Sequence, residues 1–336
     1  MTAARPTISV ALATYNGAAF LADQLATLAA QTRLPDELVV GDDNSTDATR
    51  QVIAEFARTA PFPVRLTVNP AQLGPAANFA ATIRRCSGTL VFPCDQDDLW
   101  EPHKLAHMVA FLAERPDCLL AVHDAALVDA AAAPLGHTLA DQIRGIGADP
   151  AGGLMHGCCM AIDARLAALL DPATPMRSHD SWIAVAADAL HARAYCDEPL
   201  IRHRRHETNA SWSYMGRSRR TGWLQAQLLR GRLALAESPA RSLATTVATR
   251  ESVAAAIRAH RAALTEVVPG PRIGQALAAL EAALAADRAR LAVHVAHGPR
   301  RLARLAQAAR AGCYRGATGP ITLARDLLFT LLPARA

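Results

Sequence analysis

Thr89-Leu90-Val91-Phe92-Pro93-Cys94-Asp95-Gln96-Asp97-Asp98-Leu99-Trp100 is the stretch that decides how this chain reads. Its apolar start, Thr89 to Phe92, has the composition of a buried strand. Three carboxylates then follow within four positions: Asp95, Asp97 and Asp98. The end of such a strand thrusts all three into one small volume. Like charges that close repel unless a cation or a shared proton offsets them. A hard divalent ion, Mg2+ or Mn2+, prefers carboxylate oxygen and commonly sits beside phosphate. The stretch therefore points to a metal–phosphate site at the carboxyl end of a strand. A solvated acidic turn is the alternative, and an isolated D-x-D would favour it; the upstream sequence reverses that balance.

Upstream, strands and helices alternate. Thr7–Ala13, Glu37–Gly41, Val64–Val68 and Leu90–Pro93 read as strands. Between them, Ala18–Gln31 has Leu21, Leu25 and Leu28 on one helical face. A second helix begins near Thr46, with Ser45 as its cap and Asp47 in its first turn. Gly74-Pro75 opens a third, with proline at its first position. Such alternation predicts a Rossmann-like, doubly wound, mostly parallel sheet with helices on both faces, and ligands at the carboxyl ends of the strands. Three polar groups fall at those ends: Thr14-Tyr15-Asn16-Gly17, Asp42-Asp43-Asn44-Ser45 and Asp95–Asp98. Each is weak alone; their convergence makes the site.

Past Asp117 the pattern loosens. Leu119–Val122 and His156–Ile162 read as strands, and Asp141–Gly153, rich in glycine, as a mobile loop. His179-Asp180-Ser181-Trp182 starts a helix running to about Ala192. Leu200–His206 is a late strand ending in a basic turn.

The 336 residues suffice for one large domain plus an appendage, and 51% hydrophobic against 19% charged residues excludes disorder. A net charge of +5 suits an anionic substrate or membrane surface but is too weak to argue for nucleic acid. Lys104 is the only lysine. Seven scattered cysteines without a C-x-x-C read as free thiols in a reducing compartment. No signal peptide precedes the first strand and no apolar run is long enough to span a bilayer, so the expectation is a cytoplasmic protein, lying in places against the inner face of the plasma membrane.

Taken together, Ser9–Asn16, Val39–Asp47, Cys94–Trp100, His179-Asp180-x-Trp182 and Arg202-x-Arg204-Arg205-His206-x-x-Asn209 resemble a family 2 glycosyltransferase of GT-A fold, in its bacterial rhamnosyltransferase-like branch. The resemblance covers roughly residues 7–215. It implies inverting sugar transfer from a nucleotide-diphosphate donor, usually with a divalent metal. By the same resemblance Thr14, Tyr15, Asn16, Asp42, Asp43, Gly74, Asn78, Asp95 and Gln96 bind the nucleotide-sugar, with Asp42 accepting from the base N–H. Asp95, Asp97, Asp98 and His206 are the candidate metal ligands. Asp180 is the base that takes the acceptor's proton. Trp100, His156, Gly157, His179, Trp182, Arg202 and Arg205 are candidate diphosphate or acceptor contacts. Several have plainer readings: Asp180 also suits a helix cap, Trp100 and Trp182 also suit the core, and His203-x-x-His206 lacks the further ligands of a zinc site.

The implied partners are dTDP-rhamnose or a UDP-sugar as donor and a glycan or lipid-linked glycan of the cell envelope as acceptor, as in polysaccharide biosynthesis. A catalytically degenerate, glycan-binding scaffold is the alternative. A nucleotidyltransferase would show a Gly-rich basic loop after the first strand, and a dinucleotide oxidoreductase a G-x-G-x-x-G; neither is present. Residues 1–217 form the expected glycosyltransferase domain. Residues 218–336, rich in Ala, Leu and Arg, form a mainly helical extension broken at Pro269-Gly270-Pro271 and Gly319-Pro320. Its last stretch, Leu323–Leu332, reads as an amphipathic membrane or dimer contact, or as a helix packed on the domain.

Overall fold

A computed structural model describes residues 5–153, 156–174, 176–206, 238–315 and 319–331. Strands β1 (Ile8–Thr14), β2 (Glu37–Asp42) and β4 (Leu90–Cys94) are buried along their whole length. Continuous apolar runs of this kind are what a sheet covered on both faces requires. With β3 (Val64–Val68) at the edge they pair in the order β3-β2-β1-β4, all parallel. Helices α1 (Ala18–Ala29), α2 (Thr49–Ala57) and α3 (Pro75–Arg84) make the crossovers. Thr14 lies opposite Asp42, and Leu12 opposite Cys94, so three strand ends open side by side.

Beyond β4 the sheet becomes mixed. β5 (Leu99–Trp100), β6 (Leu120–Val128), β7 (Pro134–Thr138), β8 (Met160–Asp163) and β9 (Arg193–Arg204) complete nine strands among the described residues. β8 runs antiparallel to both β4 and β6, and β9 parallel to β6. β5 pairs antiparallel with β9, Leu99 opposite Arg202. The acidic turn Asp95–Asp98 is thus pinned at both ends, by β4 mid-sheet and by β5 on the far strand. That second anchor carries the end of β9 to the carboxylates.

Short elements fill the connections: α4 (Lys104–Ala113), α5 (Leu139–Gly145), α6 (Pro150–Gly153), a 3-10 turn at Gly157–Cys159, and α7 (Ala164–Ala167). Then comes α8 (His179–Ala189). The C-terminal region forms α9 (Pro239–Ala259), α10 (Arg261–Leu264), α11 (Gly270–Val295), α12 (Pro299–Arg310) and α13 (Gly319–Leu331). The expected boundary at 217/218 and Asn209 lie outside the described residues. Val253, Ile257, Leu264, Ile273, Ala276 and Leu280 of this region belong to the same hydrophobic core as the sheet. Trp182 of α8 also donates through Nε1 to Ser252 Oγ of α9 at 2.8 Å.

Several expectations are corrected. The 141–153 segment is not a structureless loop: Thr138 and Asp141 form a reciprocal capping box that starts α5. Ser45 does not cap α2, because its hydroxyl donates to Asp42 and accepts from Asn16 N. The helix instead begins at Thr49, whose N–H donates to Asp47 Oδ1. His156–Cys159 is turn rather than strand, so β8 starts only at Met160. The strand read over Leu119–Val122 runs on through His123-Asp124 to Val128.

Candidate functional site

Two loops make the first wall. Thr14 donates to Asp42 Oδ2 at 3.0 Å, and Asp42 Oδ1 takes Ser45 N at 3.0 Å. Asn16, at φ 46°, accepts from Thr46 N through its side chain at 2.8 Å. Gly17 N donates to Thr49 Oγ1 at 2.8 Å. Fully buried Asp42 is therefore the keystone lashing the β1 and β2 loops together. Its neighbour Asp43 faces the next loop, accepting from Leu73 N at 2.7 Å and Gly74 N at 2.8 Å. Gly74 has φ 85°, with open space where a Cβ would stand. Asn78 is buried, donating to Gly41 O and accepting from Asn69. Tyr15, 43% exposed, projects at the rim.

Gln96 binds the first wall to the acidic turn. Its Oε1 accepts from Tyr15 N at 2.9 Å and its Nε2 donates to Tyr15 O at 3.1 Å, as a strand partner would. Gly17 makes room for it: a Cβ there would stand 2.1 Å from Gln96 Oε1.

The carboxylates meet two histidines from the end of β9. His203 Nδ1 lies 2.8 Å from Asp98 Oδ1, which also takes Arg204 N at 3.1 Å. His206 Nε2 lies 2.8 Å from Asp97 Oδ2, and its ring stacks on Phe20 at 4.4 Å. Arg204 donates to Asp97 O and to Asp23. Burial lowers the basicity of His203, but the charges of Asp98 and Asp95 outweigh it and push the imidazole up to about 9. Burial likewise opposes the charge on Asp98, yet His203 holds that carboxyl below its ordinary value. Asp95 is pushed up, first by burial and then by the charges of Asp98 and Asp97.

These residues fit a divalent cation. Asp98 Oδ2 is buried without a hydrogen-bond partner, and Asp95 needs a positive neighbour to ionise at neutral pH. Asp98, Cys158 and His203 also come within 4.8 Å of one another in ligand spacing. That trio is a poor hard-metal site as it stands: His203 is held protonated and the Cys158 thiol is pushed well above its ordinary value. Carboxylate oxygens of Asp95, Asp97 and Asp98, with His206 beside them, match a hard cation better.

The opposite wall holds Asp180, half-buried in the first turn of α8, one residue past buried His179. His179 stacks on Phe79 at 4.1 Å, and Gly157 lies against its edge, where a Cβ would be 2.5 Å from Nε2. His156 sits between this wall and the acids, its ring 5.7 Å from that of His203. Burial, then the positive His203, push His156 down to about 4, while Asp180 pulls the other way. It is a neutral imidazole between two charged groups.

Other candidates sit away from the opening. Trp100 and Trp182 are each 1% exposed and take the core role rather than presenting a face to a sugar. Arg202 turns to Glu101, 3.2 Å away. Arg205 is half-buried, with its N–H on Val128 O. Sequence reasoning did not anticipate the His203–Asp98 pair. It also passed over Lys104. The sole lysine is fully buried, donates to Cys158 O at 2.8 Å and lies 3.5 Å from the Trp100 ring centroid. Burial lowers it to about 8.

Residues 9–165 match the model of glycosyl transferase family 2. An uncharacterized glycosyltransferase of Nostoc sp. is 33% identical over 122 residues, 36% of this chain and 37% of that protein. The Escherichia coli UDP-Glc:alpha-D-GlcNAc-diphosphoundecaprenol beta-1,3-glucosyltransferase WfgD is 27% identical over 105 residues, 31% of this chain and 40% of that one. The matched stretch thus spans well under half the length of these curated relatives. Staphylococcus aureus TarS 1-349, in complex with UDP-GlcNAc, superposes with TM-score 0.59 at 17% identity over 96% of this chain and 88% of that one. Over residues 9–165 this chain is thus similar to glycosyl transferase family 2, and its architecture is the GT-A fold.

Proposed function

We propose that this chain transfers a sugar, with inversion, from a nucleotide-diphosphate donor to a hydroxyl of a glycan or lipid-linked glycan acceptor. The observation that carries the reading is the meeting of Asp95, Asp97 and Asp98 with His203 and His206 in the turn that Gln96 bridges to Tyr15. Tyr15 and Asn16 would line the nucleotide pocket. Asp42 and Asp43 are both buried and held by loop donors, and would shape the base end of that pocket. The donor is dTDP-rhamnose or a UDP-sugar; the motif flavour of the acidic turn favours the first.

Asp95, Asp97, Asp98 and His206 would hold the cation, which when bound neutralises charge on the diphosphate. Asp180 takes the proton as the acceptor oxygen bonds to the anomeric carbon; the bond from that carbon to the diphosphate oxygen breaks on the opposite face. His156 and His179 shape the acceptor side, their imidazoles kept neutral by burial. The C-terminal extension would rest on the inner face of the plasma membrane. Between residues 296 and 331 the described residues include six arginines, with exposed Leu302, Leu327 and Leu328. The one acid there, Asp326, is fully buried.

A thermal-shift panel tests the reading: dTDP-rhamnose, UDP-glucose, UDP-galactose, UDP-N-acetylglucosamine and GDP-mannose, with and without Mn2+, and NAD as control. A Mn2+-dependent rise with one dTDP- or UDP-sugar is expected. Folded protein that responds to none of them would instead support the scaffold alternative.

A further inference from the structure

We propose that the cavity between α9, α11 and α13 is a binding site for a phosphate group, separate from the catalytic opening. The cavity measures about 240 Å3 and is lined by Ser242, Thr246, Arg250, Arg290, Arg325 and Asp287, among others. That is below the roughly 300–1,000 Å3 of a pocket for a whole small-molecule ligand. It admits a phosphate or diphosphate head but not a nucleotide-sugar.

Its charge is unbalanced. Three guanidiniums face it with one carboxylate, Asp287, which pairs with Arg250 and lies 3.8 Å from Arg290. Asp326 sits behind, fully buried and already heavily committed. It accepts from Arg290 Nε at 2.8 Å and Tyr314 at 3.0 Å, and His294 Nε2 lies 3.1 Å away. Arg325 reaches it only at 3.8 Å and is 43% exposed. Two carboxylates therefore serve three arginines, and an anion in the cavity would face Arg250, Arg290 and Arg325 together. Burial, and then the charge of Arg290, already depress the basicity of Arg250. The first turn of the 21-residue helix α9, with Ser242 close behind it, also lines the cavity and adds the positive end of its dipole. The surroundings match: residues 238–331 hold thirteen arginines against five acids. Arginine forks suit phosphate geometry.

The phosphate could belong to a lipid headgroup or be free, and the test separates the two. It does not depend on the catalytic reading. Full-length protein is titrated with inorganic phosphate and pyrophosphate in chloride buffer of matched ionic strength. It is also titrated with phosphatidylcholine vesicles with and without phosphatidylglycerol. Arg325→Gln removes one fork from the mouth and Ser242→Leu fills the cavity. Arg304→Gln lies elsewhere on the basic surface, and Asp97→Asn lies in the catalytic opening. Binding of the free anions that falls about tenfold in the first two variants, and holds in the last two, assigns a free-phosphate site. Binding only to phosphatidylglycerol vesicles, with the same pattern, assigns a headgroup site. Binding unchanged in both Arg325→Gln and Ser242→Leu, or absent with every probe, overturns the proposal. Should Arg325→Gln fail to fold, Ser242→Leu carries the decision.

Discussion

Asp180 and Gly157 put the account to its sharpest test among single residues. Asp180 lies in the first turn of α8, where a carboxylate also favours the helix dipole, so its replacement has two readable consequences. Asp180→Asn is expected to lower turnover about 10²–10⁴-fold, the usual worth of a positioned base. Donor binding in the same variant should be unchanged, as read by calorimetry. A variant with full turnover would remove Asp180 from the mechanism. Gly157→Ala should also cost activity, for a steric reason. Its Cβ would stand 2.5 Å from His179 Nε2, and Phe79 stacked at 4.1 Å blocks the ring's retreat. Overpacking of that kind costs about 1–3 kcal/mol, so a matching drop in denaturant midpoint is expected alongside the lost activity.

Among elements, the inner strands are tied at their starts as firmly as the loops are at their ends. Glu37 of β2 accepts from Ser9 of β1 at 2.6 Å, from Ser87 N at 2.7 Å and from Arg65 of β3. Burial opposes its charge, but these donors prevail and lower the carboxyl to about 2. A depressed acid stabilises the fold above its unfolded value, near 4.5, and loses that contribution as pH falls through about 2. Urea unfolding of Glu37→Gln should therefore show a deficit at pH 7 that shrinks steadily between pH about 4.5 and about 2. A deficit independent of pH would mean packing, not charge, is what the residue supplies. The same scale shows what could be read from sequence. β1, β2 and β4 were legible because residues buried on both faces must be continuously apolar, and the polar turns after them because ligands gather at strand ends. The two-residue strand β5 was not legible, since no periodicity exists in Leu99-Trp100 alone. Without β5 the pairing of Asp98 with His203, more than a hundred residues away, could not be foreseen. Capping roles went wrong where a hydroxyl had two suitors: Ser45 serves Asp42 and Asn16 rather than its own helix.

For the whole molecule, the helical extension and the sheet share one core. Val253, Ile257, Ile273 and Leu280 are buried in the cluster that holds the strands, and α8, which carries Asp180, contacts α9 through Trp182. Removing residues 238–336 would bare that apolar surface. The truncated chain is expected to aggregate or to lose its cooperative thermal transition by circular dichroism; a soluble, cooperatively folded, active fragment would show that the extension is dispensable. The central claim remains the cation and nucleotide site at the end of β4. It is tested most directly by calorimetric titration of dTDP and UDP, with and without Mn2+, into wild type and Asp97→Asn. Tight binding of at least one nucleotide that requires Mn2+ is expected, falling at least about tenfold in the variant. Equal binding with and without Mn2+, unaffected by Asp97→Asn, would contradict it.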